Sequence, residues 1–233
     1  MRTQPSHRPL NLISQWAHDR FVEFNDLKTA PTTSRPWRQV RWKPPDQGAF
    51  KINFDGAIFV GNNCSGLGVV VHDKEGLAIA SMADGAIFVG NNCSGLGVVV
   101  HDKEGLAIAS MATRVPQQLQ PIEIEALAAY KAIVFARELG LSQVVLEGDS
   151  STVMSALNSS NPRLAPFGLP VQDTLNVATD FSKLSYSHTK REGNSVAHNL
   201  AQLAANILNC VIWMEDIPTD VMSFYHANLA DIP

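Results

Sequence analysis

Cysteine is scarce in this 233-residue chain: Cys64, Cys93 and Cys210 are the whole complement, and the first two occupy equivalent places in a repeat. Neither a disulfide framework nor a CxxC metal pair follows, which fits a reducing compartment such as cytosol or nucleus. Long apolar runs are missing as well. None reaches the ~18 residues that span a bilayer, and the polar N-terminus lacks the apolar block of a secretory signal. The expectation is therefore an intracellular protein with no membrane partner. Positive charge is not in excess either. A net charge of −4 argues against strong general binding to nucleic acid, which draws much of its affinity from phosphate neutralisation. Local basic strips remain, at Arg35, Arg38, Arg41 and Lys43 and at Lys183, Lys190 and Arg191.

What the chain does have is an apolar content of 45%, enough for a substantial core at this length. It also has a perfect tandem repeat: Asp55–Ala83 reads DGAIFVGNNCSGLGVVVHDKEGLAIASMA, and Asp84–Ala112 repeats it without a difference. Two units are too few for a solenoid. The run before the first copy, Phe50-Lys51-Ile52-Asn53-Phe54, was not duplicated. The reading divides the chain into an N-terminal tether and linker over residues 1–45, a globular domain over 46–212 and a C-terminal extension over 213–233. Within the tether, Leu10–Leu27 has the spacing of an amphipathic helix, and four prolines follow it before residue 46.

Phe50, Ile52 and Phe54 alternate with Lys51, Asn53 and Asp55, a period-2 strand pattern. Gly66–Val71 and Leu77–Met82 read as two more strands joined by an Asp-Lys-Glu-Gly turn, which leaves His72 and its copy His101 as solvated turn residues. Pro121–Leu139 is the clearest helix, with proline near its start and Gly140 as its C-terminal stop. Its narrow stripe of Ala128, Ala129, Ala132, Ala136 and Leu139 lets it lie close to a sheet, and Glu125 stands at the top of that stripe. Val144–Gly148 is a short apolar run of the kind found in buried parallel strands. Helices follow over about Ser151–Leu157 and Pro166–Thr179, then a strand over Phe181–Ser187 that delivers His188, and a last helix over Asn194–Leu208. The order predicts a mixed α/β sheet, its first three strands a meander and its later ones parallel to the first.

Three acids mark this scaffold. Asp55 closes the first strand run, Glu125 opens the alanine-rich helix and Asp149 closes the apolar run. In an open α/β sheet the carboxyl ends of neighbouring parallel strands border the ligand crevice. Three carboxylates gathered there repel one another unless cations share them, so a divalent metal site is the natural expectation. Capping of helices is the competing expectation for each acid taken alone.

With these residues in view, the chain resembles ribonuclease H type 1 domains of the plant branch related to retrotransposon reverse transcriptases. The resemblance runs from about Trp42 to Asp231. It rests on Trp42-Lys43-Pro44-Pro45 with Lys51-Ile52-Asn53-Phe54-Asp55-Gly56-Ala57, on Glu123-Ile124-Glu125-Ala126-Leu127-Ala128, on Glu147-Gly148-Asp149-Ser150, and on His188-Thr189-Lys190-Arg191-Glu192-Gly193-Asn194 followed by Val196-Ala197-His198. It implies a ribonuclease H-like mixed five-stranded sheet flanked by helices, with the 29-residue hairpin segment duplicated. It further implies endonucleolytic hydrolysis of RNA in RNA/DNA hybrids with Mg²⁺, two ions, or Mn²⁺ as substitute. The residues carried over are Asp55, Glu125 and Asp149 as metal-binding acids, His188 as the loop histidine, His198 where the family has a fourth acid, and Lys190, Arg191 and Asn194 as contacts to nucleic acid. Imidazole brings no negative charge, so the ion beside His198 is expected to bind more weakly, and Mn²⁺ to be tolerated better than Mg²⁺. The duplication leaves Asp84 as an alternative first acid. Asp55 is favoured because the Phe50/Ile52/Phe54 face packs a central strand better than Ala and Ser do. One copy is then surplus, forming an added edge hairpin or looping out. The same resemblance admits a catalytically weakened module that binds nucleic acid or a partner without cleaving.

Overall fold

The alternation over Phe50–Phe54 does not stop at Asp55. Ala57 and Phe59 continue it on one side and Ile58 on the other, so strand β1 runs Phe50–Cys64, with Asp55 inside it rather than at its end. In the computed structural model the described residues are 42–64, 69–72, 78–82, 90–159 and 167–230, all within the compact unit Val40–Pro233. The expected helix over Leu10–Leu27, the linker arginines Arg35, Arg38 and Arg41, and Asp84 lie outside the described residues.

The further strands are β2 (Val69–His72), β3 (Ala78–Met82), β4 (Gly90–His101), β5 (Ala107–Val115), β6 (Gln143–Gly148), β7 (Lys183–His188) and β8 (Cys210–Met214). They form one mixed sheet in the order β3-β2-β8-β5-β4-β1-β6-β7. The expected five-stranded block is present as β5-β4-β1-β6-β7. Three more strands extend it beyond β5, because β8 pairs antiparallel with β5 and β2 pairs parallel with β8. The second copy of the repeat supplies the meander: β4 lies antiparallel to β1, with Phe59 opposite Cys93 and Asp55 opposite Gly97. The first copy therefore gives its head to β1, and the later part of that copy pairs as the β2–β3 hairpin at the sheet edge.

On one face, Ile52, Phe54, Leu96, Val98 and Val100 are fully buried against helix α1 (Pro121–Glu138). Helices α2 (Ser151–Leu157) and α3 (Gly168–Ala178) complete that layer. Burial on α1 is wider than a narrow stripe: Ile124, Ala126, Ile133 and Phe135 are also covered, because α3 packs beside it as well as the sheet. Gly140 adopts φ +72 and ends the helix, with Leu141 N–H donating to the Ala136 carbonyl.

The opposite face carries helix α4 (Ser195–Leu203), entered through a 3₁₀ turn over Arg191–Asn194, and then helix α5 (Met222–Ala230). Val196, Ala197, Leu200 and Ala201 meet Val99, Ala57 and Phe59 there. Gly97 makes this close approach feasible, since a Cβ on it overlaps the Ala197 carbonyl oxygen and the Ala201 backbone nitrogen. Backbone atoms cannot rotate away, so Gly97→Ala is expected to cost ~1–3 kcal/mol in a urea melt, in the range of overpacked cores.

His101 is not a solvated turn residue. The turn is Asp102–Gly105, and His101, the last residue of β4, is 1% exposed beneath Trp42 at 4.6 Å between ring centroids. Both ring nitrogens lack a hydrogen-bond partner, and burial first, with Lys51 nearby, holds the imidazole neutral with a pKa of about 3. His72, its copy, ends β2, and its side chain lies outside the described set.

Candidate metal centre and active site

Register sets the site. β1 and β6 run parallel with Phe54 opposite Gly148, and β6 ends there. Asp55, inside β1, and Asp149, just past the end of β6, are therefore each one residue beyond the same pair, level with the carboxyl end of β6. Gly148 faces the Phe54 ring so closely that a Cβ would collide with it, which keeps the two strands tight at this level. Glu125 enters from the first turns of α1 on the core face.

Helix capping does not account for these acids. At α1, Gln120 is the N-cap residue, and the carboxylate that takes its backbone N–H is Glu123 Oε2, at 2.8 Å. At α2 the Ser150 hydroxyl oxygen accepts from Val153 N–H. Glu123 is thus spent on the backbone, whereas Glu125 and Asp149 are left for the cleft. Ligand oxygens of Asp55, Glu125 and Asp149 all lie within 4.8 Å of one another. Glu125 and Asp149 border a shallow depression of about 330 Å³ that is also lined by Pro121, Ile122, Ser150 and Arg191, and Asp55 lies buried beside them.

The electrostatics are those of a site short of positive charge. Asp55 is 0% exposed, and its Oδ1 has no hydrogen-bond partner; neither does the buried Oε2 of Glu125. Burial first, then the Asp55 charge and a hydrogen bond to it, then Asp149, push the Glu125 carboxyl up to about 9, with Arg191 opposing. Burial and Asp55 also raise Asp149, against Arg191 and His198. Arg191 Nη1 lies 2.6 Å from Asp55 Oδ2 and 3.2 Å from Asp149 Oδ2. His198 Nδ1 stands 2.6 Å from the same Asp55 oxygen. Two orphaned, buried carboxylate oxygens, a proton held far above its ordinary range and an inserted guanidinium all fit a hard divalent cation held by oxygen donors.

A family model described as reverse transcriptase-like matches residues 82–204, more than half of the sequence. The chain belongs to the reverse transcriptase-like family. Its match begins two residues before Asp84 and so follows the second copy as the continuous unit, while in space the strand that brings an acid to Glu125 and Asp149 is β1, with Asp55. No curated protein matches the chain. Solved structures share its fold. RNase H1 from the halophilic archaeon Halobacterium salinarum NRC-1 is 21% identical with a TM-score of 0.51, over 68% of this chain and 98% of that one. The N-terminal RNase H domain of a Mycobacterium tuberculosis protein is 18% identical with a TM-score of 0.50, over 68% and 94%. LC11-RNase H1, isolated from compost, is 17% identical with a TM-score of 0.50, over 68% and 96%. At these identities the likeness establishes the ribonuclease H-like fold of this reverse transcriptase-like chain.

The remaining expected site residues divide. His188 ends β7, exposed, with Nε2 3.2 Å from the Asp149 backbone oxygen. Lys190 is exposed just before the 3₁₀ turn. Asn194, expected to contact nucleic acid, is 1% exposed; its amide donates to the Phe54 carbonyl and its oxygen accepts from Asn53. That side chain pins the 3₁₀ turn to β1 and is buried there.

Sequence reasoning missed the network below. Asn53 Nδ2 also donates to Glu147 Oε1, Trp42 Nε1 donates to Asn53 Oδ1, and Lys51 Nζ meets Glu147 Oε2 at 3.2 Å. The period-2 pattern marks Lys51 and Asn53 as outward-facing, and outward here means under the 3₁₀ turn and Trp42. The signal was the alternation of three polar residues, Lys51, Asn53 and Asp55, on one side of a strand whose neighbours are apolar.

Proposed function

We propose that this chain hydrolyses the RNA strand of RNA/DNA hybrids with divalent cations, two Mg²⁺ ions or Mn²⁺ in their place. The observation that carries the reading is the convergence of Asp55, Glu125 and Asp149, with Asp55 Oδ1 and Glu125 Oε2 buried and unpartnered, on a ribonuclease H-like fold. Asp55, Glu125 and Asp149 would hold the ions. When bound, such ions neutralise charge at a phosphodiester and make water a better acid.

The chain's own groups supply the rest. Asp55, buried and central, orients whatever its two oxygens hold. Lys190 and Arg191, exposed beside the depression, meet the backbone phosphates of the hybrid, Arg191 by bidentate hydrogen bonding. His188 is exposed at the rim beside Asp149, within reach of solvent, and takes up or releases a proton there. His198 sits where a further carboxylate would add negative charge, so Mn²⁺ is expected to support more activity than Mg²⁺.

A second reading is a module that binds hybrids without cleaving them, and its specific support is His198 and Arg191 at Asp55 Oδ2. The test is cleavage of a hybrid labelled on its RNA strand, with Mg²⁺ and with Mn²⁺, beside Asp149→Asn. Cleavage that falls more than ~100-fold in Asp149→Asn supports the nuclease, because losing even an outer partner of a metal ligand costs 10–100-fold. Hybrid binding without turnover in either metal moves the assignment to the second reading.

A further inference from the structure

Asp55 does not use its two oxygens alike. Oδ2 takes Arg191 Nη1 at 2.6 Å and His198 Nδ1 at 2.6 Å, while Oδ1 is buried with no partner. A contact of 2.6 Å between a nitrogen and a carboxylate oxygen is a hydrogen bond when a proton lies between them, so we assign the Nδ1–H tautomer to His198, which then donates, and its 2.9 Å approach to Arg191 is a contact between two donors converging on one acceptor. A donating Nδ1 has no lone pair for a metal. The centre therefore has two unlike sides: one of unpartnered oxygens, at Asp55 Oδ1 and Glu125 Oε2, and one toward Asp55 Oδ2 and His198 that is already filled by a cation.

We propose that Arg191 is a resident cation of this centre, holding the Asp55 Oδ2–His198 side so that a second divalent ion enters only as the guanidinium withdraws. The inference rests on the reading of Asp55, Glu125 and Asp149 as metal ligands, and it concerns what regulates their loading.

Charge and geometry both favour it. A fourth carboxylate at position 198 would make a monovalent guanidinium a poor substitute for a divalent ion; with imidazole there, a single positive charge between Asp55 and Asp149 leaves less unbalanced. The guanidinium also has solvent to move into. Arg191 is 53% exposed, while the turn carrying it is fixed underneath by Asn194 on the Phe54 carbonyl and by Gly193 packed on Thr189. The side chain can swing without the turn opening. A phosphate of bound nucleic acid offers it a bidentate partner as good as the carboxylates it leaves. Hybrid binding and loading of the second ion are then coupled, each favouring the other.

The test needs no turnover. Mn²⁺ binding to the full chain, free of nucleic acid, is measured by calorimetry and by electron paramagnetic resonance for wild type and Arg191→Gln. Wild type is expected to take one ion readily and a second weakly. In Arg191→Gln the weaker dissociation constant falls by about tenfold, as when a competent state populated near one part in ten becomes the only state. Equal affinity and stoichiometry in the two proteins overturn the proposal. Mn²⁺ bound by neither protein overturns the metal reading itself, a separate failure. Should Arg191→Gln not fold, Mg²⁺ is titrated into wild type and the ¹⁵N signals of the arginine side chains are followed. A shift of the Arg191 signal supports displacement, and a signal unmoved at saturating Mg²⁺ overturns it.

Discussion

Asp55→Asn should abolish hybrid cleavage, a loss of more than ~100-fold by the same ligand argument used for Asp149, while Asp84→Asn is expected to leave the rate within about twofold, because Asp55 is the acid grouped with Glu125 and Asp149. The two aspartates begin identical 29-residue copies, so composition and local sequence after them cannot tell them apart. What precedes them can. Sliding the chain by one repeat to bring Asp84 into the site puts Ala83 at the place of Phe54, Met82 at Asn53, Ser81 at Ile52 and Ala80 at Lys51. Phe54 and Ile52 are both 0% exposed in the core against α1. A Phe-to-Ala change in such a place costs ~3–5 kcal/mol and an Ile truncation ~2–5. Together these approach the whole stability of a typical domain, ~5–15 kcal/mol. The slide also removes Asn53, which holds Trp42, Glu147 and Asn194 together. A gel assay of both variants with Mn²⁺ decides the matter, and activity lost in Asp84→Asn instead would mean that the second copy supplies the first strand. Deleting one repeat unit is the complementary experiment. Val60 now pairs with Asn92; in the shortened chain Val60 meets Asn63 across Gly61-Asn62, a two-residue hairpin loop of a favoured kind, and cleavage should persist.

Much of this fold was legible because hydrophobic period and chain punctuation agreed. Pro121 and Gly140 bracketed α1, Val144–Gly148 read as a buried parallel strand, and the three acids could be expected at one rim before any coordinates. The errors share one cause: each depended on what lay across from the residue in space. His101 follows a run of valines and precedes a turn, and nothing local says that Trp42 and Tyr225 close over it. Asn194 sits in a polar loop motif, yet β1 consumes its amide. Arg191 was legible as a cation near the cleft, but not as one that inserts between Asp55 and Asp149. The extension of the sheet by β8 was hidden because Cys210–Met214 is partly buried along its whole length, without the alternation that marks a half-exposed strand.

In the absence of metal, Glu125→Gln should be more stable than wild type near pH 8, by on the order of 1–3 kcal/mol, the range of a single buried-charge change. The sign follows from the proton on Glu125. Its folded pKa, about 9, stands above the ordinary value of 4.5. The folded chain therefore binds a proton that the unfolded chain releases, and the stability contributed by this group is complete below about pH 4.5 and lost as pH rises toward 9. Glutamine is neutral throughout and loses nothing over that window. Asp149, raised in the same direction, leaves a residual slope in both proteins. Divalent metal should reverse the order. Saturating Mn²⁺ stabilises wild type by RT ln(1 + [L]/Kd), about 2.7 kcal/mol at a hundredfold excess over Kd, and displaces the Glu125 proton as it does so. Glu125→Gln, lacking that charge, gains less. Urea melts at pH 5, 7 and 9, each with chelator and with Mn²⁺, give the full pattern. Wild type and variant running parallel across pH in chelator would show that Glu125 does not store the proton. A crossing that appears only with metal present would place the stored charge on Asp149 instead. The alkaline loss of stability and the metal's gain have a common source: a buried negative charge on Glu125, with Asp55 and Asp149 close by, that either a proton or an ion can offset.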